Sequence, residues 1–430
     1  MNRRNFLKNV LVGSSVLPFG VRAFAQSENP SAAQKKIILS APLTHSDWML
    51  KPNIAWGPDG VHHMLDMCKE CGWSKIYWRV LDGGRGLYKS KLLRPMGKWD
   101  DDSFWNPQSD ADKALFRRFY PNYSDEQRRA LLAKFDRLDY ANFDPFAEAV
   151  RYGHKIGLQI HAWVTINEDD HGWGLQSEFS KKHPELRWRG RGGKIYHSQL
   201  GFAFPEVRRY KLAILKELLA NYELDGFFLD WIRTGDVRDN PQNDAEGVAD
   251  YGYEKPLIED LKKKFSKDAE KIPNKHDAWI RLRSEPQTEF MRAAHKLVRK
   301  QKRKLPIAAL VGHPWHYRGE QNKIDGNLRG LLLDVNAWAR EGLVDSVVAA
   351  GYYRDGGNAE LAARALQKET DGKLDVWTYA WVPSSAADFQ QNATVAEKVG
   401  AKEILFWEAD YIDDRANAAE LKAAMRNRAA

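Results

Sequence analysis

Residues 225–233 read DGFFLDWIR, so three apolar residues run straight into a carboxylate, Asp230, which is followed by a tryptophan and a cation. A charge inside such a segment would be costly to bury, so Asp230 is expected where a buried strand surfaces at a rim. Two more acids terminate other apolar runs: Asp355 follows DSVVAAGYY (345–353), and Glu408 lies near the end of EILFWEA (403–409). Carboxylates facing one another across a pocket suit glycosidic bond hydrolysis, in which one protonates the leaving oxygen and the other attacks the sugar or activates water. In that chemistry Asp230 is the expected nucleophile, with Glu408 or Asp355 as its acid.

The same strand ends carry groups suited to holding a sugar. Arg79, His161, Asn167, Arg233, His313 and Asp410 are expected to hydrogen-bond hydroxyls, and Trp163, Trp315, Tyr352, Trp381 and Trp407 to offer flat faces to sugar C–H groups. The chain has 16 tryptophans, enough for both packing and ligand contact. His313 and His316 have the spacing of two metal ligands, yet neither an H-E-x-x-H helix nor a His/Cys cluster accompanies them. No metal and no cofactor is therefore expected. Neither a G-x-S-x-G elbow nor a phosphate-binding loop occurs.

Positioning these groups requires a frame, and the apolar runs supply it. IILSAPL (37–43), KIYWRVL (75–81), LQIHAWVTI (158–166), DGFFLDWI (225–232), PIAALVG (306–312), DSVVAAGYY (345–353), DVWTYAWV (375–382) and EILFWEA (403–409) are eight strand candidates. Continuous apolar character marks parallel strands covered on both faces. Helical patterns follow them, such as PEVRRYKLAILKELLANY with its stripe of Val207, Tyr210, Ile214 and Leu218, and others over 143–157 and 288–301. The expected fold is α/β, a single closed (β/α)8 TIM barrel, with an open doubly wound sheet as the alternative. Long insertions over roughly 83–142, 167–204 and 233–280 follow strands, which puts them on the face where such barrels place their chemistry.

The N-terminus reads MNRRNFLKNVLVGSSVLPFGVRAFAQ, with paired arginines, a short apolar run and an A-x-A site at Ala23–Ala25. This is the pattern of a removable twin-arginine export signal over 1–25, which implies a periplasmic or secreted protein. A short linker over 26–36 and one barrel domain over 37–427 complete the expected organisation. The apolar run is too short and broken to serve as a permanent membrane anchor. The formal charge is +8, and removing Arg3, Arg4, Lys8 and Arg22 leaves +4. So modest and dispersed a charge excludes a dedicated nucleic-acid binder. Two denser patches stand out, VRKQKRK (298–304), expected as a solvated face, and RWRGRGGK (187–194), which could meet an anionic ligand. The two cysteines, Cys68 and Cys71, are too few to staple the chain and are expected as a local pair without catalytic duty.

Three segments in order, HAWVTINED (161–169), KKHPELRWRG (181–190) and FPEVRRYKLAILKELLANYELDGFFLDWIR (204–233), resemble the family 10-like glycosyl hydrolase proteins. The resemblance implies a carbohydrate-active barrel acting on an oligo- or polysaccharide, with Asp230 in the position of the family's strand-four aspartate. The chain departs from that pattern at Gly201–Phe204, where an acid is usual, and at Trp231, where a second acid or a tyrosine is usual. A carbohydrate-binding barrel without catalysis is the competing expectation.

Overall fold

The computed structural model describes residues 36–43, 48–49, 54–97, 108–119, 124–169, 176–230, 232, 244, 246–312, 326–350, 356–407, 412–413 and 415–430. Eight strands form its centre: β1 (Ile38–Leu43), β2 (Lys75–Asp82), β3 (Gln159–Thr165), β4 (Gly226–Asp230), β5 (Ile307–Gly312), β6 (Ser346–Ala350), β7 (Asp375–Trp381) and β8 (Glu403–Trp407). Each pairs in parallel with its neighbours in sequence, and β8 returns to β1 with Leu39 opposite Ile404. The expected (β/α)8 barrel is present, and the open sheet is excluded by that closure.

Strand periodicity explains the double-sided apolar runs. In β4, Phe228 joins an interior cluster with Tyr77, Trp163, Leu310, Val348, Trp377 and Leu405, while Phe227 and Leu229 join the larger core outside the barrel. Alternate residues face alternate sides of a strand. Asp230, two residues beyond Phe228, therefore faces the barrel axis at the strand's carboxyl end. All five residues of β4 are buried.

The outer layer contains α1 (Pro58–Glu70), α2 (Pro145–Lys155), α3 (Pro205–Asn221), α4 (Asp277–Arg299), α5 (Val335–Glu341), α6 (Gly356–Glu369), α7 (Ala386–Val399) and α8 (Ala418–Arg428). The first three carry proline in the first turn, where its missing N–H costs nothing. The Asp144 side chain caps α2 by accepting from Phe146 N and Ala147 N, and the Ser385 side chain caps α7 by accepting from Asp388 N. α4 begins well before the expected position at 288 and runs through Pro286, whose flanking residues Arg283, Ser284, Gln287 and Thr288 are buried. Packing of that helix against the insertion overrides the local helix-breaking signal. The chain closes where it began, with Ile37 bridged to Ala429 and Ala430 N donating to Ile37 O at 3.0 Å.

The insertions lie beyond the carboxyl ends of β2, β3 and β4. Described parts include helices Asp110–Phe119, Asp125–Phe135 and Lys255–Phe265, and a hairpin of Arg187–Arg189 with Ile195–Leu200. The basic hairpin turns out to be largely engaged internally. Arg187 Nη1 lies 2.5 Å from His197 Nδ1, and Arg191 donates to the carbonyls of Glu270 and Ile272, to Asn274 and to the Tyr253 hydroxyl. In the second basic patch Arg299 pairs with Asp345 and Arg303 with Asp225. Cys68 and Cys71 are buried free thiols, and burial pushes the Cys71 thiol up to about 12. Among the described residues no helix is long and apolar enough to cross a membrane.

Candidate active site at the strand ends

Asp230 is fully buried and opposes Thr165 across the β3–β4 pair. Its Oδ2 accepts a hydrogen bond from Trp163 Nε1 at 3.0 Å. Trp163 also belongs to the interior-facing set of β3, two residues before Thr165, so its indole reaches Asp230 from the adjacent strand. A fully buried carboxylate needs such donors, because burial without them would favour its neutral form.

Above Trp163 lies a cation. The Arg79 guanidinium carbon sits 4.7 Å from the centroid of the indole. Two acids hold it there: Asp82 at 2.7 Å and Glu168 at 3.1 Å, both 1% exposed. Arg79 Nε also donates to Leu81 O at 3.3 Å. The rim thus places one arginine, two acids, one tryptophan and Asp230 in a continuous chain of contacts drawn from β2, β3, β4 and the turn after β3.

That turn has a second charged pair. Lys211, on the inward side of α3, forms a buried ion pair with Asp169, while Ser177 N donates to Asp169 O at 2.7 Å. Asn167 is also buried; its Oδ1 accepts from Leu200 N at 3.2 Å, and its Nδ2 meets no acceptor among the described residues. Glu168, Asp169 and Lys211 are site-forming residues that strand-end reasoning passes over. The signal lay in the acidic close of INED after β3 and in a lysine one position beside the apolar stripe of α3.

Aromatic groups complete the described part of the mouth. Trp407, partly exposed at the end of β8, meets Trp163 edge-on at 5.2 Å and Tyr379 at 5.8 Å between centroids. Trp381 lies beside it in register on β7. Asp355, Glu408, Asp410, Arg233, His313, Trp315 and Tyr352 lie outside the described residues. A cleft of about 230 Å³ is lined by Gly84, Arg94, Glu178, Phe179, Lys182, His183 and Tyr210, and Asp230 is not among its lining residues.

His161 and Trp163, two of the expected sugar contacts, are both buried in the barrel. His161 is level with Gly226 at the start of β4, four residues or about 13 Å below Thr165 and Asp230. It packs on Tyr77 at 5.3 Å, and burial together with Lys75 holds its imidazole well below the usual histidine range. A substituent on Gly226 would come within 2.5 Å of the ring, so glycine makes the room for it. His161 belongs to the barrel floor, where Lys75 pairs with Glu403 at 2.5 Å and Tyr77 donates to Glu403 at 2.7 Å. Trp163 has Arg79 over one face, Trp407 at 5.2 Å between centroids and its N–H donated to Asp230.

Among the described residues no group of three His, Cys, Asp or Glu side chains is placed to hold a metal ion. The described site offers an acid held by a neutral donor, a buried cation with two counter-charges, and an aromatic wall. Such an arrangement can present one carboxylate to an uncharged ligand with flat apolar faces.

Comparison with known proteins bears on the fold and the family. Over 94 residues the chain is 27% identical to glycosyl hydrolase YngK of Bacillus subtilis (strain 168), a match spanning 20% of this chain and 18% of that protein. In three dimensions it is similar to the PgaB (BpsB) glycoside hydrolase domain from Bordetella bronchiseptica, with a TM-score of 0.55 over 91% of this chain and 99% of that one. It is also similar to the catalytic domain of a beta-amylase from Paenibacillus polymyxa, at 0.54 over 93% and 100%. A third neighbour is alpha-L-fucosidase isoenzyme 2 from Paenibacillus thiaminolyticus, at 0.54 over 91% of this chain and 49% of that one. Each of the three is 11% identical, so these likenesses speak to the barrel alone. Residues 116–382, more than half of the sequence, match the family described as glycosyl hydrolase-like 10, and the chain belongs to that family.

Proposed function

We propose that this protein is an exported glycoside hydrolase that cleaves an oligo- or polysaccharide at the carboxyl-end mouth of the barrel. The observation that carries this reading is Asp230, an inward-facing carboxylate at the end of β4, held by Trp163 within the Arg79 network. Asp230 acts on the anomeric carbon as nucleophile. Its partner, Glu408 or Asp355, gives a proton to the leaving oxygen and then takes one from the water that resolves the glycosyl intermediate. Asp82 and Glu168 are poor candidates for that acid, because both are committed to Arg79. Trp381 and Trp407 flank the sugar, joined by Arg233, His313, Trp315, Tyr352 and Asp410. Asn167 Nδ2 is a further donor. Residues 1–25 serve as the export signal, 26–36 as a linker and 37–427 as the catalytic domain.

One observation favours a second reading, a carbohydrate-binding barrel without turnover. The described acids beside Asp230 (Asp82, Glu168 and Asp169) are all ion-paired. Incubation of the protein with a panel of neutral and acidic polysaccharides, followed by a reducing-end assay, separates the two. New reducing ends support hydrolysis, and retention on a glycan without product supports binding alone.

A further inference from the structure

The contacts around Asp230 form an ordered chain whose members stand in different relations to the carboxylate. Trp163 touches it directly, through an N–H···O bond of 3.0 Å. Arg79 lies over the face of that indole, at 4.7 Å. Asp82 and Glu168 pair with Arg79. All of these groups are nine-tenths or more buried, so water screens the interactions weakly.

A guanidinium over an indole draws on the electron density of the ring and stiffens its position. The indole N–H, at the edge of that ring, becomes a better donor when a cation sits on its face. A tryptophan held between Arg79 on one side and Trp407 on another has little freedom to swing. Two acids on one guanidinium fix its plane in turn. We propose that Arg79 and Trp163 are positioning residues for Asp230, with Arg79 acting through the indole N–H to fix the carboxylate's plane and favour its charged form. Asp82 and Glu168 set the guanidinium. The inference rests on the reading of Asp230 as the acting carboxylate and adds a dependence that reading does not require. An arginine that served only to pack the rim would act on fold, not on the titration of Asp230.

The test has a readout that needs no substrate. In the ¹H–¹⁵N spectrum of the full chain, the Trp163 indole peak is identified by its loss in Trp163→Phe, and its pH titration is followed in the parent, Asp230→Asn, Arg79→Met and Arg79→Lys proteins. The expected result is a titration step that Asp230→Asn removes, that moves to higher pH in Arg79→Met and that Arg79→Lys restores at least in part. A step unchanged in Arg79→Met, or an indole peak indifferent to Asp230→Asn, overturns the proposal. With a polysaccharide that yields reducing ends, Trp163→Phe is expected to lower kcat by about 100-fold with little change in KM. The double variant Trp163→Phe/Arg79→Met should be no slower than Trp163→Phe alone, since Arg79 acts through the bond already lost. Independent, multiplying losses overturn the relay. Full activity in Asp230→Asn would instead refute the hydrolase reading, while the spectroscopic result would still decide the relay.

Discussion

Asp230 and Glu254 are both fully buried acids, and their surroundings set them apart. Asp230 receives an indole N–H at the mouth. Glu254 lies in the insertion after β4 and accepts from Arg189 N at 3.1 Å, and burial raises its carboxyl to about 7. The native state then holds a proton on Glu254 at pH values where the unfolded chain has already lost it, between its ordinary value of 4.5 and about 7. By linkage this group's contribution to stability falls as pH rises through that window. Glu254→Gln, which keeps the oxygen that Arg189 N needs, should therefore stabilise the protein at pH 8 by up to roughly 3 kcal/mol. Thermal melts of parent and variant should converge towards pH 5. A constant difference across pH would show that burial of the charge is not the cause. Asp230 was legible at this scale, because a strand ending in an acid is a local pattern. The burial of Glu254 was not, since it depends on residues far apart in the chain.

The same division holds for elements. The apolar stripe of α3 was readable, and Val207, Ile214 and Leu218 are buried as its spacing implies. Lys211 broke the stripe by one position and turns out to be as buried as its neighbours, because Asp169 from the turn after β3 neutralises it. Only the tertiary pairing reveals why a lysine belongs there. Replacing Lys211 with Met should leave Asp169 charged and uncompensated, costing about 3–5 kcal/mol, whereas Lys211→Met with Asp169→Leu should recover much of the loss. Denaturant midpoints of the two proteins check this, and equal midpoints would contradict it. Ser90 and Tyr88, just after β2, make a comparable clamp by donating to Glu217 on α3 at 2.5 and 2.7 Å, with Lys91 N adding a third bond at 2.7 Å. Glu217→Ala, which strands those donors, should cost roughly 1–3 kcal/mol in the same measurement.

For the molecule as a whole, parallel strands buried on both faces announce themselves as unbroken apolar runs, and all eight were visible for that reason. Their closure follows from right-handed crossovers and from the need to cover edges. The relative depth of residues within the barrel is another matter. Nothing local distinguishes His161 on the floor from Trp163 below the mouth, since both sit in one strand with the same facing. Depth is set by the stagger between strands, which brings His161 level with Gly226 and Thr165 level with Asp230. Among the described residues, Asp82, Glu168 and Asp169 are ion-paired with Arg79 or Lys211, and Asp230 is the proposed acting group. The most direct measurement of that claim is reducing-end release from a cleaved polysaccharide by the Asp230→Asn protein, with retention on the same glycan measured in parallel. Turnover is expected to drop by at least about 1,000-fold while the glycan is still bound. Turnover equal to that of the parent would contradict it.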